Sequence, residues 1–85
     1  MDAAPPVRLL LFASAREAAG CRDDSFNAAT LGALLDAARE RYGATFSAVL
    51  DGSRVWIGGE EPEQGAATPL REGDEVAVLP PVSGG

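Results

Sequence analysis

Histidine and lysine are missing from this 85-residue chain, and cysteine, tryptophan and tyrosine occur once each. Without histidine, and with Cys21 alone, there is no ligand set for zinc or an iron–sulfur cluster. There is also no imidazole to activate a serine or cysteine nucleophile. Cys21 has no partner for an internal disulfide, which fits a reducing compartment, and it is expected to be a small, half-buried strand residue. The missing lysine excludes a P-loop, whose lysine grips nucleotide phosphates. It also leaves no side-chain amine to react with an activated carboxyl group, although high-GC coding produces the same pattern. No apolar run approaches the roughly 20 residues that span a bilayer. The opening Met1–Pro6 lacks the basic and apolar regions of a signal peptide, so the expected location is the cytoplasm.

What is present describes one small globular domain. Hydrophobic residues make up 46% of the chain and charged residues 24%, too apolar a balance for disorder. Thirteen acidic groups against seven arginines give a net charge of −6. That balance opposes nucleic acid and anionic membranes, which need a basic face, and favours a partner with a basic patch.

After a loose segment over residues 1–6, Val7 to Ala13 reads as a strand. Alternation puts Val7, Leu9 and Leu11 on one face and Arg8, Leu10 and Phe12 on the other. Ser14 to Gly20 reads as one helical turn closed by glycine. Cys21 to Asn27, anchored by Phe26, is a weaker strand expected to pair antiparallel with the first. Thr30 to Tyr42 is the strongest helix signal, with Thr30 as N-cap, Gly43 past its end, and a stripe of Leu31, Leu34, Leu35, Ala38 and Tyr42. Ala44 to Leu50 is ambiguous and can form a short turn of helix. A short strand follows at Arg54–Ile57, broken by Gly58 and Gly59. Glu60, Glu61 and Glu63 then form an acidic loop, best read as solvated. The final strand runs from Asp74 to Leu79.

A right-handed crossover through the helix lays the final strand parallel to the first. The expected class is α+β: a mixed sheet with one main helix on one face, the β-grasp (ubiquitin-like) arrangement, over residues 7–79. Val76 and Val78 then share the core with Leu9 and Leu11, while Ala77 and Leu79 join Leu10 and Phe12 on the open face. An open sheet face is normally polar, so this apolar cluster reads as a docking surface. The competing expectation is that loops near Trp56 cover it.

Beyond Leu79 the chain reads Pro80-Pro81-Val82-Ser83-Gly84-Gly85. Two prolines cannot donate to a ladder, so the sheet must stop at Pro80 and an extended arm follow over residues 80–85. Two terminal glycines offer no packing, but they suit a tail that threads a narrow channel because nothing projects from the backbone.

The segments Leu11-Phe12-Ala13-Ser14-Ala15-Arg16-Glu17 and Gly73-Asp74-Glu75-Val76-Ala77, with the Pro80–Gly85 ending, resemble the small subunit of molybdopterin synthase, the MoaD type. The resemblance covers nearly the whole chain from Val7 and lies within the ubiquitin-like sulfur-carrier family. It departs at Trp56–Gly59, where members usually carry an asparagine-containing turn. The resemblance implies a sulfur carrier of molybdenum cofactor biosynthesis, not an enzyme on its own. An E1-like (MoeB-type) enzyme adenylates the Gly85 carboxylate with ATP, and sulfur replaces AMP to give a thiocarboxylate. The tail enters the large (MoaE-type) subunit, in a heterotetramer of two small and two large subunits, and gives its sulfur to a cyclic pterin monophosphate precursor. By position, Gly85 bears the sulfur and Gly84 allows passage. Leu10, Phe12, Ala77, Leu79, Pro80, Pro81, Val82 and Ser83 face the partner, and the chain binds no metal or cofactor itself. The alternatives are a ThiS-like carrier for thiamine, a carrier for another sulfur acceptor, a protein modifier that forms isopeptides, and a non-catalytic β-grasp interaction domain.

Overall fold

The computed structural model describes residues 4–81. Strand β1 (Pro6–Leu11) is followed by α1 (Ala13–Ala19), β2 (Asp23–Asn27), α2 (Leu31–Tyr42), α3 (Ala44–Asp51), β3 (Arg54–Ile57) and β4 (Glu75–Leu79). The sheet order is β2-β1-β4-β3, with β1 and β4 parallel and both outer pairs antiparallel. This is the mixed β-grasp sheet that the alternation and the helix stripe predict.

The core lies between the sheet and the helices. Val7, Leu9, Leu11, Val76 and Val78 bury one face of the sheet against Leu31, Leu34 and Ala38 of α2. Phe46 of α3 heads the fully buried side chains by volume, so the stretch that was ambiguous in sequence supplies a main core anchor. At about 1.5–3 kcal/mol for each large side chain buried, these residues are the main source of stability. Helix α2 starts where Thr30 Oγ1 accepts from the Ala33 N–H at 3.2 Å. Gly32 lets this first turn press on the single turn of 3-10 helix at Gly65–Ala67, since a β-carbon there would lie 3.1 Å from Ala66.

Three boundaries depart from the sequence reading. Pro5 and Pro6, assigned there to the loose segment, are tied to β2: Pro5 O accepts from the Ala28 N–H and Pro6 pairs with Asn27. The first strand stops at Leu11, and Ala13 already belongs to α1. Cys21 lies in the bend before β2, where its Sγ donates to the Tyr42 hydroxyl at 3.6 Å.

Each sheet edge is closed at one residue. On β2 the Ser25 N–H donates to Asp24 Oδ1 and its carbonyl accepts from Arg41 Nη1. On β3 the Ile57 N–H and carbonyl bond back to Glu60. Outward backbone groups satisfied within the chain offer little to an added strand.

A polar cluster clamps the end of α2 to β2. Tyr42 donates to Asp24 Oδ2 at 2.5 Å, and Arg41 lies 3.1 Å from the same oxygen and 3.9 Å over the Phe26 ring. The Tyr42 hydrogen bond chiefly holds the Asp24 carboxyl below its ordinary value, with the Ser25 N–H and Arg41 adding to it and partial burial opposing. Burial, then the Asp24 carboxylate, push the Tyr42 hydroxyl upward. A lowered carboxyl stabilises the fold above its unfolded-state value near 4 and loses that contribution as pH falls. A raised phenol stabilises below about 10 and loses that as pH climbs. Tyr42→Phe is therefore expected to cost about 1–2 kcal/mol at neutral pH. In urea melts across pH it should flatten both the acid and the alkaline decline; unchanged limbs would show the cluster to be energetically idle.

Candidate functional site

Parallel strands end at the same edge of a sheet. Because Leu11 is in register with Val78, Phe12 just beyond β1 and Leu79-Pro80 at the end of β4 leave the fold side by side. The arm therefore starts next to the β1–α1 junction and the open sheet face, without an intervening linker.

Phe12 is 39% exposed, the one large hydrophobic residue in that class among the described residues. It is not on the strand, as alternation had implied, but caps α1: its carbonyl accepts from the N–H groups of Ala15 and Arg16. Its own backbone is still extended (φ −124°, ψ 152°), so it faces outward opposite to buried Leu11, and the turn follows at the next residue. Ala13 has φ +50°, in the left-handed region that a β-carbon makes costly by about 1 kcal/mol or more.

Leu10 and Ala77 face each other across the parallel ladder, and Trp56 faces Ala77 across the antiparallel one. These three, all half-buried, form an apolar row on the face away from the helices. Leu79, half-buried, follows beside Arg54. The expectation of a wholly open cluster is thus modified: Trp56 belongs to the row itself, since Val55 and Ile57 pack against the core. Its Nε1 is buried without a hydrogen-bond partner among the described residues. The alternation of Val55, Trp56 and Ile57 carried this signal in the sequence; the unpaired indole N–H did not show there.

Arg8 pairs with Asp23 and Arg54 with Glu61 around the row. Both pairs are solvent-exposed, so they add little stability and leave the apolar row to dominate the face.

Pro80 is half-buried and Pro81 exposed. Together with Ser14, Ala48, Val49 and Gly52 they line a groove of about 380 Å³ between α1, α3 and the arm. Sequence reasoning missed this groove because it did not fix α3. Val82, Ser83, Gly84 and Gly85 lie outside the described residues.

The acidic loop borders a separate hollow of about 290 Å³ reaching from Ile57 to Arg71. Among the described residues no group of three or more cysteine, histidine or acidic side chains is arranged to hold a metal, and no helix is long and apolar enough to cross a membrane. What the site offers chemically is an apolar contact surface beside an emerging arm.

Comparisons with known proteins fit this geometry. The model of the ThiS family matches residues 9–85. The small archaeal modifier protein 1 of Methanosarcina acetivorans is 27% identical with a TM-score of 0.84, each chain being covered completely. Its counterpart from Haloferax volcanii is 33% identical with a TM-score of 0.81, over 94% of this chain and 99% of that one. A chain in the complex of subunits 1 and 2 of the molybdopterin-converting factor of Helicobacter pylori 26695 has a TM-score of 0.73 over 94% of this chain and 99% of that one. Its identity of 24% speaks for the fold. A search of curated proteins gives no match.

Trp56 provides a test of the row. Replacing it by phenylalanine removes apolar area but also a buried N–H that has no partner, a group costing about 1–3 kcal/mol. Trp56→Phe should therefore change unfolding free energy by less than about 1 kcal/mol. A loss of several times that in urea denaturation would mean the indole N–H is satisfied in solution.

Proposed function

The chain belongs to the ThiS family of ubiquitin-like sulfur carriers, and from that premise we propose that it carries sulfur on a C-terminal thiocarboxylate for molybdenum cofactor assembly. A carboxylate is a poor electrophile, and this chain has no nucleotide-binding motif. Activation therefore falls to a separate E1-like enzyme: the Gly85 carboxylate attacks ATP, pyrophosphate leaves, and the acyl-adenylate then loses AMP to a sulfur nucleophile. The thiocarboxylate reacts with a cyclic pterin monophosphate precursor in a large subunit, and the carboxylate is restored by water. The observation carrying this reading is the parallel register that brings Phe12 and the Pro80–Pro81 arm to one edge. That edge is where a receiving protein can grip the scaffold while it admits the tail. Support also comes from the family match, which runs through Gly84 and Gly85, and from the likeness to the molybdopterin synthase small subunit in the Leu11–Glu17 segment and the tail.

Each partner-facing role follows from chemistry. Pro80 and Pro81 stiffen the root of the arm and reduce the ordering cost, about 1–2 kcal/mol per residue, of placing the tail in a channel. Gly84 presents no side chain to the channel wall. The anionic pterin is expected to bind a pocket of the large subunit, because this chain is itself acidic.

A second reading is favoured by one specific observation. The two modifier structures are 27% and 33% identical to this chain, above the 24% of the molybdopterin-converting factor chain. On that reading the same adenylated terminus acylates lysines of other proteins.

Deletion of Gly85 should abolish activation, and Gly84→Val should leave folding unchanged while blocking sulfur transfer. Intact mass spectrometry after incubation with ATP, an E1-like enzyme and a sulfur donor reads both. An oxygen-for-sulfur exchange supports the carrier, conjugates to lysines of other proteins support the modifier, and full activity without Gly85 overturns both.

Phe12→Asp and Leu79→Asp should each weaken the complex with a molybdopterin synthase large subunit by about tenfold or more while the free chain stays folded. Calorimetric titration beside a thermal melt separates the two effects. A collapse of thermal stability would assign those side chains to the core instead.

A further inference from the structure

Among the described residues, Ala13 is alone as a non-glycine residue with positive φ. Glycine occupies six other positive-φ positions and adopts them without strain. A strained residue persists only where its surroundings hold it, and such residues collect where geometry serves a function. The surroundings here are specific. On one side of Ala13, Phe12 points away from the core while its carbonyl is fixed by the N–H groups of Ala15 and Arg16. The Arg16 Nε donates to the Leu11 carbonyl at 3.4 Å, holding the end of β1. On the other side, Ser14 lines the groove with Pro80 and Pro81. The bend at Ala13 therefore joins an extended Phe12, whose ring faces out, to the wall against which the arm begins, and fixes one relative to the other.

We propose that Ala13 is a positioning residue, whose left-handed backbone presents Phe12 and the Pro80–Pro81 arm as one rigid contact surface to the protein that receives the tail. This rests on the sulfur-carrier reading above. An ordinary extended residue at position 13 would carry β1 onward and turn Phe12 relative to Ser14, because strand side chains alternate. With the bend fixed in advance, the receiving protein meets an aromatic anchor whose backbone is already ordered, and less freedom is lost on docking. The complementary surface is an apolar hollow beside the tail channel, with a basic rim to match this acidic chain.

Two substitutions separate positioning from plain stability. Ala13→Gly removes the β-carbon clash but adds freedom to the unfolded chain, effects that offset each other in stability while the bend loosens. Ala13→D-alanine keeps the methyl group and makes positive φ the preferred conformation. Both are accessible by ligating a synthetic 1–20 thioester to 21–85 at Cys21. That segment contains Phe12 but neither Phe26 nor Phe46, so a fluorinated ring reports Phe12 alone.

The probes are a molybdopterin synthase large subunit and an E1-like activating enzyme, each titrated calorimetrically, with 19F relaxation of the Phe12 ring in the free chain. The proposal expects Ala13→Gly to melt within a few degrees of wild type, to mobilise the ring, and to bind about three- to tenfold more weakly. Ala13→D-alanine should be more stable, with the ring as ordered and binding at least as tight. Equal affinity and equal ring order in Ala13→Gly overturn the proposal and leave Ala13 a local fold feature. Failure of the wild-type chain to bind either enzyme counts against the sulfur-carrier reading instead, and the ring order then decides the role of Ala13 by itself.

Discussion

The parallel ladder between β1 and β4 is the constraint on which everything else depends. Parallel neighbours cannot be joined by a hairpin, so the intervening chain must travel the length of the sheet and return. Here that excursion supplies α2 and α3, which cover one face, and β2 and β3, which flank the central pair. Val7, Leu9, Leu11, Val76 and Val78 are buried because the ladder sits at the centre. The same ladder fixes direction. Both central strands end at one edge, and the chain's most exposed aromatic residue and its proline arm emerge there together. An antiparallel pairing of the same two strands would have sent Phe12 and Pro80 to opposite ends.

The rest of the surface narrows the ways a partner can approach. Strand addition is discouraged at β2, where Asp24 and Arg41 occupy the outward groups of Ser25, and at β3, where Glu60 closes Ile57. The helical layer covers one face of the sheet. The other face carries the row of Leu10, Ala77 and Trp56 with Leu79 beside it, continuous with the edge where the arm begins. The Tyr42–Asp24–Arg41 cluster has two roles: it locks α2 to β2 and it satisfies the sheet margin.

Much of this was legible in the sequence because period and punctuation agreed. Leu31, Leu34, Leu35, Ala38 and Tyr42 formed a stripe between Thr30 and Gly43, and α2 begins and ends at those caps. The alternation over Val7–Leu11 and Val76–Leu79 assigned core and open faces correctly. What failed was continuity across a strand end. The alternation held through Phe12, whose backbone is extended and whose ring is exposed, and broke one residue later at Ala13, where nothing in an alanine announces positive φ. Phe46 and Leu50 were read only as able to pack in a short turn of helix, because eight residues of helix give too few turns for a periodic signal; both are buried in α3. The reason for Gly32 is a tertiary contact with Ala66 that no local pattern encodes.

On the carrier reading, confining the chemistry to the tail lets one scaffold serve more than one acceptor. The described residues contain no metal cluster, and their resolved pKa shifts belong to the α2–β2 clamp rather than to the edge where the arm leaves. On the carrier reading, reactivity is therefore confined to a terminal acyl group, and the fold contributes presentation. An activated acyl group is indifferent to whether a sulfur or an amine nucleophile takes it. The receiving protein makes that choice by what it places at the end of its channel. Selection must then act on recognition, through the apolar row, Phe12 and the arm, because the tail chemistry is common to every acceptor. A scaffold without lysine fits the same logic: its side chains offer no amine to consume the activated terminus before a partner does.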